Sequence, residues 1–233
     1  MKKIITLVVL FITFSFSSCD VIKNVGSNIL TQGDAISGVK ELLSMGSNLQ
    51  NGAFSKDALM AAILPKDVNS VLQKLQQLGL GGQVDKFTNN LTNAVTETAT
   101  KSGPIFLYGI KQMTIVDAIT IVKSGGTAAT NYLKTTIGDS LHNAVTPVMR
   151  TALNQYNIAD EWDKLIGPAK ILLGNNAKLN VNLDYLLAGV VTNSMFDKIG
   201  EQEIAIRTNA AARTTPTLQK VFGTDWNKTG ITQ

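Results

Sequence analysis

From residue 34 onward, apolar side chains recur every three or four positions, the interval at which one face of an α-helix returns, and no stretch alternates over the length of a strand. In DAISGVKELLSMGSNL, Asp34 is a candidate cap, and Ile36, Val39, Leu42, Leu43 and Leu49 fall largely on one face. Pro65 suits the first turn of a second helix with the stripe Val68, Leu72, Leu75 and Leu78, ended by Gly79, Gly81 and Gly82. QVDKFTNNLTNAVTETATKS carries Phe87, Leu91, Ala94 and Val95 at the same spacing. Thr114 with Asp117 reads as a capping box for a short helix closed by Ser124, Gly125 and Gly126. Thr127 caps another short one, TAATNYLKTTIG. In the longer DSLHNAVTPVMRTALNQYN, Pro147 predicts a kink, or a fresh start with Thr146 as cap.

DEWDKLIG adds an amphipathic turn or two before Gly167 and Pro168, and residues 168–181 then lose periodicity, which makes them the longest internal loop, with a candidate hinge near Gly174. From Asn182 a strong stripe resumes through Leu183, Leu186, Leu187, Val190, Val191 and Met195. It can continue through FDKIGEQEIAIR, although Gly200 costs a helix about 1 kcal/mol relative to Ala. Thr215 and Pro216 are the cap and first turn of a last short helix, TPTLQKVFG. These elements predict an all-α protein, a single irregular bundle of about eight to ten helices over residues 34–223, with residues 224–233 as a C-terminal tail.

The start of the chain is different in kind. MKK is a positive n-region, IITLVVLFITFSF an apolar run of thirteen residues, and SSC puts small residues directly before a cysteine. The run is short of the ~20 residues that a spanning helix needs. Cys19 is the only cysteine, so no internal disulfide explains it. The combination resembles a bacterial lipoprotein signal, residues 1–18, with Cys19 as the lipid-modified first residue of the mature chain; Phe16 stands where Leu is usual. Residues 19–33 read as a polar tether.

Composition narrows the chemistry. With 44% hydrophobic and 16% charged residues the chain is globular, and subtracting Lys2 and Lys3 from its 21 basic residues leaves 19 against 17 acidic ones, a net +2 too small and dispersed for nucleic acid. One histidine, His142, and one cysteine leave no ligand set for a zinc site, no Cys–His dyad and no thiol redox pair. No G-x-S-x-G surrounds a serine, and GLGGQ lacks the Lys and Ser or Thr of a phosphate loop. Asp160, Glu161 and Asp163 cluster around Trp162, but their spacing matches no calcium loop and suits a helix N-terminus. No cofactor or metal is expected. Carboxylate chemistry needs only two acids converging on one cleft, and Asp117, Asp139, Asp184, Glu201 and Glu203 are the candidates.

Four segments, YGIKQMTIVDAITIVKSGGTAATNYLKTTIGDSL, TPVMRTALNQ, LDYLLAGVVTNSMFDKIGEQEIAIR and AARTTPTLQKVFG, together resemble the family called domain of unknown function 4197 in order and spacing, over roughly residues 34–223. The resemblance implies an exported all-helical bacterial protein, often a lipoprotein, and no particular activity. The signature positions it implies are Lys111, Asp117, Ala129, Thr130, Tyr132, Glu203, Arg207 and Arg213. Ala210 replaces a proline common at that place, which puts a proline-fixed turn in doubt.

The richest constellation is EQEIAIRTNAAARTTPTLQKVFG. Glu203 and Arg207 stand four apart on one helix face, a pair contributing roughly 0.2–0.5 kcal/mol if exposed. Arg213 has three possible partners: helix C-terminal carbonyls, a carboxylate across the bundle, or an anionic ligand in a pocket shared with Lys111. The expectation is an exported protein joined to a membrane through lipid on Cys19, binding a protein partner or a small amphipathic, lipid-like ligand without catalysis. A carboxylate-based hydrolase or transferase and a structural envelope component are the alternatives.

Overall fold

The computed structural model describes residues 29–47, 66–167 and 182–226. The signal, Cys19, most of the tether, Leu49, Pro65 and the loop around Gly174 lie outside them. The described residues form eight α-helices and one 3₁₀ turn, with no strand among them. The helices are α1 (Gln32–Ser47), α2 (Lys66–Gln77), α3 (Gly81–Gln112), α4 (Ala118–Ser124), α5 (Ala128–Gln155), α6 (Ile158–Ile166), α7 (Leu183–Thr208) and α8 (Pro216–Phe222), with the turn at Ala210–Ala212 between the last two.

Helix α7 lies at the centre, packed most extensively on α5 and also on α1 and α3; α3 runs along α5, α4 and α8 close one end against α1, and α2 and α6 lie on α3. The apolar stripe of α3 is buried as expected, with Phe87, Leu91, Ala94 and Val95 all in the core. The buried apolar residues form one cluster from Leu30 to Trp226, so this segment carries its own core, the mark of a unit that folds by itself. Gly46 explains how α1 comes so near α7: a Cβ there would stand 2.7 Å from the backbone Cα of Ile199. Three ion pairs among the described residues tie helices at the surface of this packing, Asp34 to Lys220 (α1 to α8), Arg150 to Asp184 (α5 to α7) and Lys86 to Glu161 (α3 to α6).

Several boundaries depart from the sequence reading. Thr31, not Asp34, caps α1: its hydroxyl accepts from the Asp34 N–H and donates to the Asp34 carboxylate, a capping box with Asp at its acid position. α2 stops at Gln77 and the chain turns at Gly79 (φ 84°), so Leu78 leaves its expected stripe and is exposed. α3 does not end near Ser102 but continues through Gly103 and Pro104 to Gln112, because one face beyond the proline still buries apolar groups, Phe106 and Ile110. The expected pair of helices across residues 127–157 is one helix, α5, running through Gly138 and Pro147. Thr146 does not cap there; its hydroxyl donates to the His142 carbonyl one turn back, within the helix.

The Thr114 capping box is also absent. α4 begins at Ala118 with Asp117 as its N-cap, the carboxylate accepting from the Thr120 N–H at 3.1 Å. The residues before it, 113–117, are not helical: Ile115 turns into the core and the Thr114 carbonyl is taken by the Tyr132 hydroxyl at 3.0 Å. α7 does run on past Gly200 as predicted, and Thr215 and Pro216 do start α8, the Thr215 hydroxyl accepting from the Leu218 N–H.

Candidate functional site

Four helix ends meet where α7 finishes: the C-terminus of α4, the N-terminus of α5, the C-terminus of α7 and the start of α8. Each N-terminus brings N–H groups, and each C-terminus carbonyls, that have no partner within their own helix. Thr127 occupies the N-cap position of α5 but makes no side-chain cap. Glu203 replaces it from across the bundle. One carboxylate oxygen accepts from the Ala129 N–H at 2.9 Å and the other from the Thr130 N–H at 2.8 Å and the Thr130 hydroxyl at 2.7 Å. The Glu203 side chain is wholly buried.

Arg207, one turn on along α7, completes the arrangement. Its Nε and Nη2 donate to Glu203 Oε1 at 2.9 and 2.8 Å, while Nη1 and Nη2 also donate to the carbonyls of Val122 and Ile121 at the end of α4, at 2.8 and 3.0 Å. The guanidinium stacks over Phe222 of α8, 5.1 Å from the ring centroid, in cation–π range. The signs match the helix dipoles: a carboxylate lies at the positive N-terminus of α5, and a guanidinium at the negative C-terminus of α4.

Arg213 takes the first of the partners open to it. Its Nε and Nη2 donate to the carbonyls of Ile206 and Arg207 at the end of α7, both at 2.8 Å. The chain reaches this point through the turn at Ala210–Ala212, which forms without a proline because the Asn209 side chain accepts from the Ala211 N–H. The Arg213 carbonyl in turn accepts from the Gln219 side chain of α8.

Beside this clamp lies a cleft of about 450 Å³, whose lining includes Arg207, Thr208 and Arg213, the α8 end with Phe222 and Trp226, and Gly125 and Gly126 after α4. Gly125 leaves α4 at φ 73°, ψ −167°, a conformation essentially restricted to glycine, and a Cβ there would meet nothing. Trp226 is buried although it falls within the expected tail, and its indole N–H donates to the Val221 carbonyl at 2.8 Å. Lys123 and Asp225 also line the cleft, and each is engaged in a contact of its own.

The remaining candidate residues stand elsewhere. Lys111 does not line this cleft; it is exposed at the end of α3, and its carbonyl accepts from Lys40. Asp117 and Tyr132 fix the non-helical approach to α4, and Tyr132 is half-buried against the core. His142 Nε2 lies 2.8 Å from the Tyr185 carbonyl, so it carries the proton and ties α5 to α7 with its ring against Tyr185. Asp139 is exposed on α5, Glu201 pairs with Lys198, and Asp184 with Arg150. Burial pushes the Asp184 carboxyl upward, but the Arg150 hydrogen bond and the Tyr185 N–H outweigh it and hold it below the ordinary aspartate value. Glu161 pairs with Lys86, while Trp162 turns inward onto Phe87.

Sequence reasoning found both arginines and Glu203 but missed the apolar wall of the cleft. Phe222 and Trp226 carry the available signal, two aromatics close together at the end of a short helix in a chain that is only 6% aromatic.

The class is thus an all-helical bundle whose last long helix is clamped by a buried acid–arginine pair. The chain belongs to the family described as Protein of unknown function (DUF4197), whose sequence profile matches residues 29–223. Neither the curated proteins searched nor the solved structures offer a match to this chain.

Proposed function

We propose that this is an exported protein, held at a membrane by lipid on Cys19, that works as a non-catalytic binding protein and takes a small amphipathic ligand in the cleft beside Arg213. The observation that carries the binding role is the cleft's mixed lining, which joins the Arg213 guanidinium with the aromatic side chains of Phe222 and Trp226. Sites for small ligands are mostly apolar concavities of about 300–1,000 Å³ with a few convergent polar groups. A volume of about 450 Å³ suits a small molecule better than a protein surface. The anchoring role is supported by the charged start, the apolar run and the single cysteine. No helix among the described residues is long and apolar enough to cross a membrane.

The carboxylate-enzyme reading draws less support. Asp117 serves as a helix cap and Glu203 is enclosed by backbone N–H groups and Arg207, so these two do not converge on the cleft, where Asp225 is the acid among the lining residues.

Two measurements test the proposal. Cys19→Ser is expected to abolish metabolic labelling with palmitate and to release the chain from membrane fractions; persistent labelling would refute the anchor. The chain from Asp20 onward, incubated with envelope extract, repurified and analysed by mass spectrometry, is expected to carry a small amphiphile that is missing from a Thr208→Trp variant with a narrowed cleft. Recovery of the same molecules from both would refute the binding site.

A further inference from the structure

We infer that the ligand's head group is an oxyanion, a carboxylate or phosphate ester, received by Arg213, with its apolar tail lying along Phe222 and Trp226. The inference rests on the reading of the cleft as a ligand site. Its basis is a difference between the two arginines at that site. Arg207 is only 9% exposed; it is ion-paired with Glu203 and also bound to two carbonyls, so its charge is spent within the protein. Arg213 is half-buried, and no carboxylate lies within ion-pair distance of it among the described residues. A guanidinium has five N–H donors. Two of Arg213's go to the Ile206 and Arg207 carbonyls, which leaves three unclaimed on a group that lines the cleft.

That geometry suits an oxyanion in two ways. The carbonyls that hold Nε and Nη2 fix the plane of the guanidinium, so its remaining edge is pre-organised and little side-chain entropy is lost on binding. A planar fork also matches two oxygens of one head group, forming charge-assisted bonds roughly twice as strong as neutral ones. Phe222 and Trp226, which line the same cleft, supply the apolar part of its wall. Lys123 and Asp225, the other charged side chains of the lining besides Arg207, are of opposite sign and each has a contact of its own.

The test uses the chain from Asp20 onward, calorimetry, and the NMR signals of its two indole N–H groups. The probes are dodecanoate, acetate and dodecyl maltoside. Dodecanoate is expected to bind and to move the Trp226 indole signal while leaving that of Trp162, which is packed in the core against Phe87. Acetate and the maltoside are expected to bind far more weakly. Arg213→Gln should weaken dodecanoate about ten- to a hundredfold, the range for losing a hydrogen bond to a charged group. Arg213→Lys, which keeps the charge but not the fork, should restore only part of it. Because Arg213 also holds the end of α7, Thr208→Trp is the second variant: Thr208 is exposed and outside the clamp, and it should block dodecanoate with an unchanged melting curve. Equal binding of the maltoside, unaffected by Arg213→Gln, would overturn the oxyanion assignment while leaving an amphiphile site. Acetate binding as tightly as dodecanoate would overturn the role of the apolar wall. Binding by none of the three would overturn the ligand site itself.

Discussion

Replacing Glu203 by Gln changes almost no volume and removes one charge, so its effect isolates the clamp. In the native protein five donors converge on this carboxylate: the Ala129 and Thr130 N–H groups, the Thr130 hydroxyl, and Nε and Nη2 of Arg207. A glutamine amide offers one acceptor oxygen and an NH₂, so one side of the donor shell meets hydrogens instead of lone pairs. Arg207 meanwhile stays 9% exposed with no counter-charge. Removing one partner of a buried pair costs about 3–5 kcal/mol, against roughly 0.2–1 kcal/mol for an exposed pair. Total stabilities run to about 5–15 kcal/mol, so the loss is expected to take a large share of the fold. Urea unfolding followed by far-ultraviolet circular dichroism measures it, with the midpoint falling and the slope unchanged. A double-mutant cycle with Arg207→Met should show strong coupling. A loss below about 1 kcal/mol would refute the reasoning, because it would mean that the pair behaves as a solvated surface ion pair.

Two other outcomes follow from the packing and the ion pairs. Gly46→Ala puts a methyl 2.7 Å from the Ile199 Cα, backbone that cannot rotate aside, so α1 must shift; a loss of about 1–3 kcal/mol in the same unfolding assay is expected, and a neutral result would show that α1 does not approach α7 so closely. The Lys220 hydrogen bond to Asp34, the Lys101 hydrogen bond to Glu97, and the Arg150 and Tyr185 contacts that outweigh burial at Asp184 hold these three carboxyls below their ordinary values of 3.8, 4.5 and 3.8. A folded-state value below the unfolded one stabilises the fold above the ordinary carboxylate range, and the contribution disappears as pH falls through the depressed values. The urea midpoint should therefore drop on acidification below about pH 4, less steeply in Asp34→Asn, and an acid limb identical in that variant would refute the Asp34 contribution.

The sequence made the helical class and the buried faces legible because amphipathic spacing is a local property: the α3 and α7 stripes could be read residue by residue. Helix boundaries were harder where tertiary packing overrode the local signals. The third stripe was followed only to Ser102 and Pro147 read as a kink or fresh start, yet the helices continue through Gly103–Pro104 and Pro147 because apolar groups remain to be buried on the far side. Thr127 and Thr146 were good caps by type, but one makes no cap bond and the other turns back into its own helix. The site was half legible. The spacing of Glu203 and Arg207 announced a pair, but nothing local could show that the acid caps a helix more than seventy residues earlier, or that Lys111 stands away from the cleft. Such contacts depend on which helix ends meet, which is a property of the topology.

A buried ion pair is often no better for stability than apolar side chains of the same volume, since desolvation offsets the attraction. That equivalence fails here because the pair does more than attract itself. Any apolar replacement would leave the Ala129 and Thr130 N–H groups without Glu203, and the Ile121 and Val122 carbonyls without Arg207. An unmade backbone hydrogen bond costs about 1–3 kcal/mol when buried. Clamping three helix ends with one acid and two arginines therefore follows from where those ends meet, and it accounts for Glu203 and Arg207 without any ligand. Arg213 differs. Holding the end of α7 needs only two of its donors, and a lysine or a helix-ending glycine could serve a C-terminus as well. The rest of its fork, turned to a cleft walled by Phe222 and Trp226, is the part of the cluster that fold stability leaves unexplained, and it is where the search for a ligand belongs.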